Sequence, residues 1–337
     1  MRVGLWNDST KFPNLCSMKI SAFCKSTGDT TELWDESHTY DLIFASKVFT
    51  ESAEPNFGKT PVIRGGSGYD LHNKLPEHIE HMFPDYSLYP DFKAALGVLT
   101  RGCPRMNHAQ SRGGFCITPD KDGCKTRKVA DLTEFWNGQK EIYLLDQNLL
   151  AAPERKDLLQ QLIDSRANVT FDGGMDIRFV NDETIEMLRQ VRVKEYHFAW
   201  DDPMENLEVK FRQVRESGLV KKDRCGAYVL TNFWSTTEQD LYRIYTLRSL
   251  GFMPYVMIYD KQKFVTDRGN WRKNIGQAFS EEKIRHFKTC QHLQRWCNTR
   301  QIIKTCPNFE DYEPYVKWVK NGKPIPTTGG DLNDSNR

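Results

Sequence analysis

The chain of 337 residues is 27% charged and 39% hydrophobic, enough for one large or two medium domains at roughly 100–200 residues each. Its 47 Lys and Arg against 45 Asp and Glu leave a formal net charge of +2, which supports neither nucleic acid nor membrane headgroups as a partner. No apolar run approaches the roughly 20 residues of a spanning helix, and the first residues turn polar at Asn7-Asp8, so a soluble cytoplasmic protein is expected. Nine cysteines scattered through the chain fit reduced thiols, some of them metal ligands, better than a secreted disulfide framework.

In chain order, Val3-Gly4-Leu5-Trp6 reads as a short strand, 15–25 as a helix, and 41–45 and 61–64 as further strands. Gly65-Gly66-Ser67-Gly68 follows the last of these; it lacks a complete dinucleotide or P-loop signature, and a plain turn stands beside a phosphate cradle as its reading. Pro76, Pro84 and Pro90 mark an irregular crossing, which predicts a small α/β domain over 1–88 and a second domain over 89–319. From there the pattern is regular. Strands are predicted at 95–100, 141–145, 168–172, 195–199, 227–231 and 253–259, with helices at 154–165, 182–190, 205–217 and 236–250. The later strands recur at about the length of one strand-plus-helix unit, which implies a parallel sheet with right-handed crossovers and a partial (β/α)6 barrel. Ser235-Thr236-Thr237-Glu238 has capping-box spacing. The segment 320–337, rich in Gly, Pro, Asn and Asp, is expected to be a disordered tail.

In such a barrel the chemistry sits at the carboxyl ends of the strands. Those ends carry Asp146-Gln147-Asn148, then Asp172-Gly173-Gly174-Met175-Asp176-Ile177-Arg178, then Asp201-Asp202, Thr231-Asn232 and Asp260-Lys261. A single Asp or Asn after a strand is an ordinary helix cap, but several at one rim form a candidate site. Arg178 suits a ligand carboxylate through its planar fork, or a salt bridge to Asp176 or Asp146.

The loop after the first barrel strand holds Thr100-Arg101-Gly102-Cys103-Pro104-Arg105, then Gly113-Gly114-Phe115-Cys116-Ile117, with Cys124 further on. Three thiols on one loop at a barrel mouth suit an iron–sulfur cluster, with zinc the rival metal.

With this loop, and with Asp131-Leu132-Thr133-Glu134-Phe135-Trp136, Leu145-Asp146-Gln147-Asn148, His197-Phe198-Ala199-Trp200-Asp201, Tyr228-Val229-Leu230-Thr231-Asn232 and the segment 254–260, the chain resembles radical S-adenosylmethionine (SAM) enzymes over nearly its whole length. The resemblance implies three cysteines holding three irons of a [4Fe-4S] cluster while SAM chelates the fourth. Electron transfer to SAM would then give a 5′-deoxyadenosyl radical. It puts Cys103 and Cys116 as first and third ligands, Phe115 as the aromatic residue before the third, and Asp146, Gln147 and Asn148 beside the SAM amino group. Asp176, Arg178 and Asn232 are its candidates for the carboxylate and ribose. The N-terminal unit resembles the cobalamin-binding-type domain of some relatives, but no DxHxxG motif occurs, so cobalamin is not expected.

The chain departs from the family pattern at one place. Gly113 stands where the middle cysteine belongs, and the stretch from Cys103 to Cys116 is longer than CxxxCxxC allows. Cys124 or His108 is then the candidate third ligand. The alternatives are a noncatalytic barrel acting as a binding or scaffold module, and a metal-independent enzyme using the Asp-rich rim. Substrate and electron donor are not implied.

His286, Cys290, His292, Cys297 and Cys306 cluster in sequence without a standard zinc spacing, and packing is the simpler reading. His197, inside an apolar strand, reads as a core histidine sooner than a base. The locally basic segments 268–273 and 283–300 read as an anionic-partner face or as a docked amphipathic helix.

Overall fold

In the computed structural model, residues 1–8, 12–105, 114–222, 224–259 and 280–321 are described. Val3, Gly4 and Leu5 are all buried in β1 (Arg2–Asn7), as befits a central strand covered on both faces. Helix α1 (Leu15–Ser26) starts where the Asn14 side chain accepts the Ser17 N–H at 2.9 Å, and it buries Met18, Ile20 and Cys24. With β2 (Thr30–Leu33), β3 (Leu42–Ser46) and β4 (Val62–Gly65), the strands make a parallel sheet in the order β2-β1-β3-β4, as in flavodoxin-like folds. The glycine run after β4 is a turn. The Gly68 N–H donates to Lys47 O, just after β3, and those of Tyr69 and Asp70 donate to Gly66 O, so these three amides all have backbone partners. A short helix, α2 (Glu77–Glu80), follows.

The next sheet contains β5 (Ala95–Gly97), β8 (Glu141–Leu144), β9 (Asn168–Phe171) and β10 (Arg192–Val193), all parallel, in the order β10-β9-β8-β5. The strand predicted at 95–100 breaks after Gly97. Beyond it β6 (Thr100–Arg101) pairs antiparallel with β7 (Arg127–Lys128), and α3 (Thr118–Asp122) lies between them in sequence. Helices α4 (Arg155–Ser165) and α5 (Asp182–Gln190) bury Leu158, Leu159, Leu162, Ile185 and Leu188. The 88/89 division expected from the prolines falls inside one compact unit, Met1–Lys194. Its physical reason is a shared apolar cluster: Leu96, Tyr143 and Leu145 pack with Val3, Leu5 and Met18.

The second unit, Glu195–Arg337, is built on β11 (Tyr196–Ala199), β12 (Cys225–Thr231) and β13 (Met253–Ile258), again parallel. Its helices among the described residues are α6 (Glu208–Glu216), α7 (Thr237–Ser249), α8 (Glu281–Asn298), α9 (Arg300–Thr305) and α10 (Glu313–Lys320). Phe198, Phe211 and Phe252 meet edge to face in its core. Helix α6 starts later than 205 because Asp202 Oδ1 accepts the Met204 N–H at 2.8 Å and the Trp200 indole donates to Glu205 O, which fixes a turn there. The capping box of α7 is shifted by one residue from the predicted one. Thr236 accepts the Gln239 N–H, and Gln239 Oε1 accepts the Thr236 N–H.

The stretch 283–300 forms most of α8. Its Ile284, Phe287, Cys290, Leu293 and Cys297 are buried at helical spacing, and Asn298 and Gln294 hydrogen-bond the backbone of Val256 on β13. His108, Gly113, Asp260, Lys261, the basic segment 268–273 and residues 322–337 of the expected tail lie outside the described residues. No helix among the described residues is long and apolar enough to cross a membrane.

Candidate functional site

The ends of β8 and β9 and the cysteine loop meet in the first unit. Asp146 follows β8 by two residues and is buried. Its carboxylate accepts the Leu99 N–H at 3.1 Å and both the N–H and the hydroxyl of Thr100 at 2.6 Å. Burial pushes its carboxyl up to about 6 despite these donors. Asp146 therefore grips the root of the loop. Next to it, Gln147 Oε1 accepts the Gly102 N–H at 2.8 Å, and its amide donates to the buried Asp122.

Gly102 is required where it stands. It has φ +87, and a Cβ there would sit 2.3 Å from Lys125 O. The Thr126 hydroxyl donates to Gly102 O at 3.1 Å, and the Cys103 N–H donates to Gly123 O at 3.2 Å. The two ends of the cysteine segment, 102–103 and 123–126, thus run side by side, which brings the Cys103 and Cys124 backbones together. Cys103 is buried at this junction, whereas Cys116 and Cys124 are exposed. Cys116 precedes α3, with its Sγ 3.3 Å from Thr118 Oγ1, and Phe115 before it is half-buried.

Asn148 links the loop to β9. Its Nδ2 donates to Cys103 Sγ at 3.3 Å and to Asp176 Oδ2 at 2.9 Å, while its Oδ1 is buried without a hydrogen-bond partner. Asp176 is held by Arg178, whose Nε donates to it at 2.7 Å. Burial opposes the Asp176 charge, but the Arg178 bonds and the nearby Arg105 outweigh it and keep the carboxyl below its ordinary range. Of the two partners open to Arg178, an internal salt bridge to Asp176 is the one formed.

Asn232 belongs to the second unit. It follows β12 with φ +62, its amide donates to Tyr259 O at 3.0 Å, and its Oδ1 is buried without a partner. His197 is the second residue of β11, packed over Gly226 and stacked on Tyr228. There it lines a cavity of about 1060 Å³ with Tyr228, Arg248 and Tyr255, which contains none of the loop or rim residues named above. The residues of the first site fit a thiolate-bound cluster in donor chemistry: one buried and two exposed thiols on one loop, and beside the buried sulfur an amide oxygen with nothing to accept.

Fold and site define a mixed α/β protein of parallel sheets with polar side chains gathered at strand carboxyl ends. No protein-family model matches the chain, and no curated protein matches it. Among solved structures, the chain is similar to a radical S-adenosylmethionine methyltransferase, TsrM, from Kitasatospora setae, with cobalamin and a [4Fe-4S] cluster bound. The TM-score is 0.54 at 11% identity, covering 76% of this chain and 74% of that one. At that identity the likeness is one of fold.

Proposed function

We propose that the chain is a radical-SAM-type enzyme in which Cys103, Cys116 and Cys124 hold a [4Fe-4S] cluster and the strand ends after β8 and β9 receive SAM. The fold likeness to a cluster-binding methyltransferase supports this reading. The observation that carries it is Asn148, which donates to the Cys103 sulfur and has a buried, unpartnered Oδ1. When bound and reduced, the cluster would supply the electron that cleaves SAM to a 5′-deoxyadenosyl radical.

The chain's own residues prepare that site. Asp146 and Gln147 fix the backbone from Leu99 to Gly102, so Cys103 leaves the sheet in one direction. The Asn148 amide would offset charge on the Cys103 sulfur, and its unpartnered oxygen would be the acceptor for the SAM amino group. Arg178 binds Asp176 through both Nε and Nη2, and so fixes the carboxylate to which the Asn148 amide also donates. Cys124, exposed beside the Cys103 backbone, is the proposed third ligand in place of the missing middle cysteine.

Anaerobic reconstitution with iron and sulfide tests the reading. The expected result is the absorbance and EPR signal of a [4Fe-4S] cluster, lost in Cys103→Ala and in Cys124→Ala, with 5′-deoxyadenosine formed from SAM and a reductant. No cluster in the parent protein overturns it, and an unchanged cluster in Cys124→Ala removes that ligand. A second reading, a noncatalytic module on the same fold, is favoured by Gly113 at the middle cysteine position. It predicts a folded protein with no cluster.

A further inference from the structure

Away from the cysteine loop, the second unit brings three metal-ligating side chains together from two helices. His286 and Cys290 stand one turn apart on α8, a spacing that places both on one face. Asp240 comes from the first turn of α7. One ligand atom from each lies within 4.8 Å of the other two, with Asp240 and Cys290 buried and His286 half-buried.

The sulfur–nitrogen distance is that of a coordination shell. Cys290 Sγ lies 3.6 Å from His286 Nε2. A tetrahedral zinc-class ion, with sulfur at about 2.3 Å and nitrogen at about 2.0 Å, holds those two ligands about 3.5 Å apart. Arg243 binds Asp240 Oδ1, while Oδ2 is buried without a hydrogen-bond partner. The Thr231 side chain and the Asn232 backbone N–H bear on the Cys290 sulfur, so the group lies beside the carboxyl end of β12. The Asn232 Oδ1, also buried and unpartnered, belongs to the same strand end.

We infer that Asp240, His286 and Cys290 form a binding site for a divalent zinc-class metal ion, with a fourth coordination position left to water or a further ligand. Arg243 already offsets the Asp240 charge from the Oδ1 side, so a dication here would be met by the Cys290 thiolate, the shared Asp240 carboxylate and a neutral imidazole. The inference does not depend on the cysteine loop or on SAM chemistry.

Titration of the full chain with Co(II), then Zn(II), tests it, in the parent protein and in a Cys103→Ala, Cys116→Ala, Cys124→Ala variant that removes the loop thiols. The expected result in both is one Co(II) with the strong visible bands of a tetrahedral site and a thiolate-to-cobalt charge-transfer band, displaced by Zn(II). Cys290→Ser abolishes the charge-transfer band, and Cys297→Ser, on the same helix, leaves it unchanged. His286→Gln, at a half-buried position, weakens binding by at least about tenfold, since even outer-shell partners are worth roughly that much. Absence of the band, its survival in Cys290→Ser, its loss in Cys297→Ser, or unchanged affinity in His286→Gln overturns the assignment. If Cys290→Ser does not fold, the His286→Gln affinity decides.

Discussion

At the carboxyl ends of β8 and β9, polar side chains reach outward to hold one loop. At the carboxyl ends of β11 and β12, a single arginine from α7 reaches inward and ties the strand ends together. Arg243 is fully buried and donates to Trp200 O at 2.6 Å, to Asp201 O and Leu230 O at 2.9 Å, and to Asp240. Each place contains one buried aspartate whose carboxyl burial pushes up to about 6. Asp146 answers its burial with backbone and hydroxyl donors, and Asp240 with a buried cation. Neutral donors leave a strand end open to a ligand, whereas a cation locks it and moves the open coordination to the helices behind.

The comparison breaks most visibly at Arg243. Arg243→Leu leaves the carbonyls of Trp200, Asp201, Leu230 and Gln239, together with Asp240, without this donor, and the expected cost is about 3–5 kcal/mol, read as a lower urea midpoint. A change below about 1 kcal/mol would mean that the strand ends hold without it.

The Asp146 side of the comparison is sharpened by pH. The folded chain keeps the Asp146 proton up to about 6 while the unfolded chain releases it near the ordinary carboxylate value, so the folded state binds the extra proton in between. This contribution to stability is present at low pH and is lost as pH rises from about 4 to about 6. Asp146→Asn lacks it. The stability difference between variant and parent is expected to move in the variant's favour across that window by roughly 3 kcal/mol, at about 1.4 kcal/mol per pH unit, and to stay level above it. A difference that is flat from pH 4 to 6 contradicts the burial assigned to this carboxylate.

The smallest effect concerns how α7 carries Arg243 and Asp240 into place. Thr236→Ala removes the cap and is expected to cost about 1 kcal/mol, with Ser235→Ala costing less, both measured by thermal unfolding. The reverse order would return the cap to the position predicted from the sequence.

Much of the fold is legible in the sequence because buried parallel strands are short apolar runs bounded by breakers, as at Ile142–Leu144 and Val169–Phe171. The elements that escape it lack that signal. β2 is an edge strand, Thr30-Thr31-Glu32-Leu33, with no fully buried residue, and β10 is two residues long. The cap of α7 is misread by one position because Ser235 and Thr236 are both acceptable caps, and only the backbone turn chooses between them. The first site is legible as Cys103, Asp146, Gln147, Asn148 and Asp176, since strand order places carboxyl ends together. What each atom does is not: Asp146 is engaged with the loop root, and Arg178 closes on Asp176. Asp240 is missed as a companion of His286 and Cys290 because its distance along the chain hides it. The hint available was the helical spacing of those two residues combined with an acidic residue in the first turn of a preceding helix.

The junction of Gly102–Cys103 with Gly123–Thr126 has a consequence for how this segment tolerates change. Both anchors lie outside the stretch between Cys103 and Cys116, so residues inserted there lengthen a closed span without touching the knot at its base. Doubling such a span adds only about 0.6 kcal/mol of closure entropy. A lineage can therefore lengthen this arm freely, and the residue it cannot replace is the small one at the hinge, Gly102.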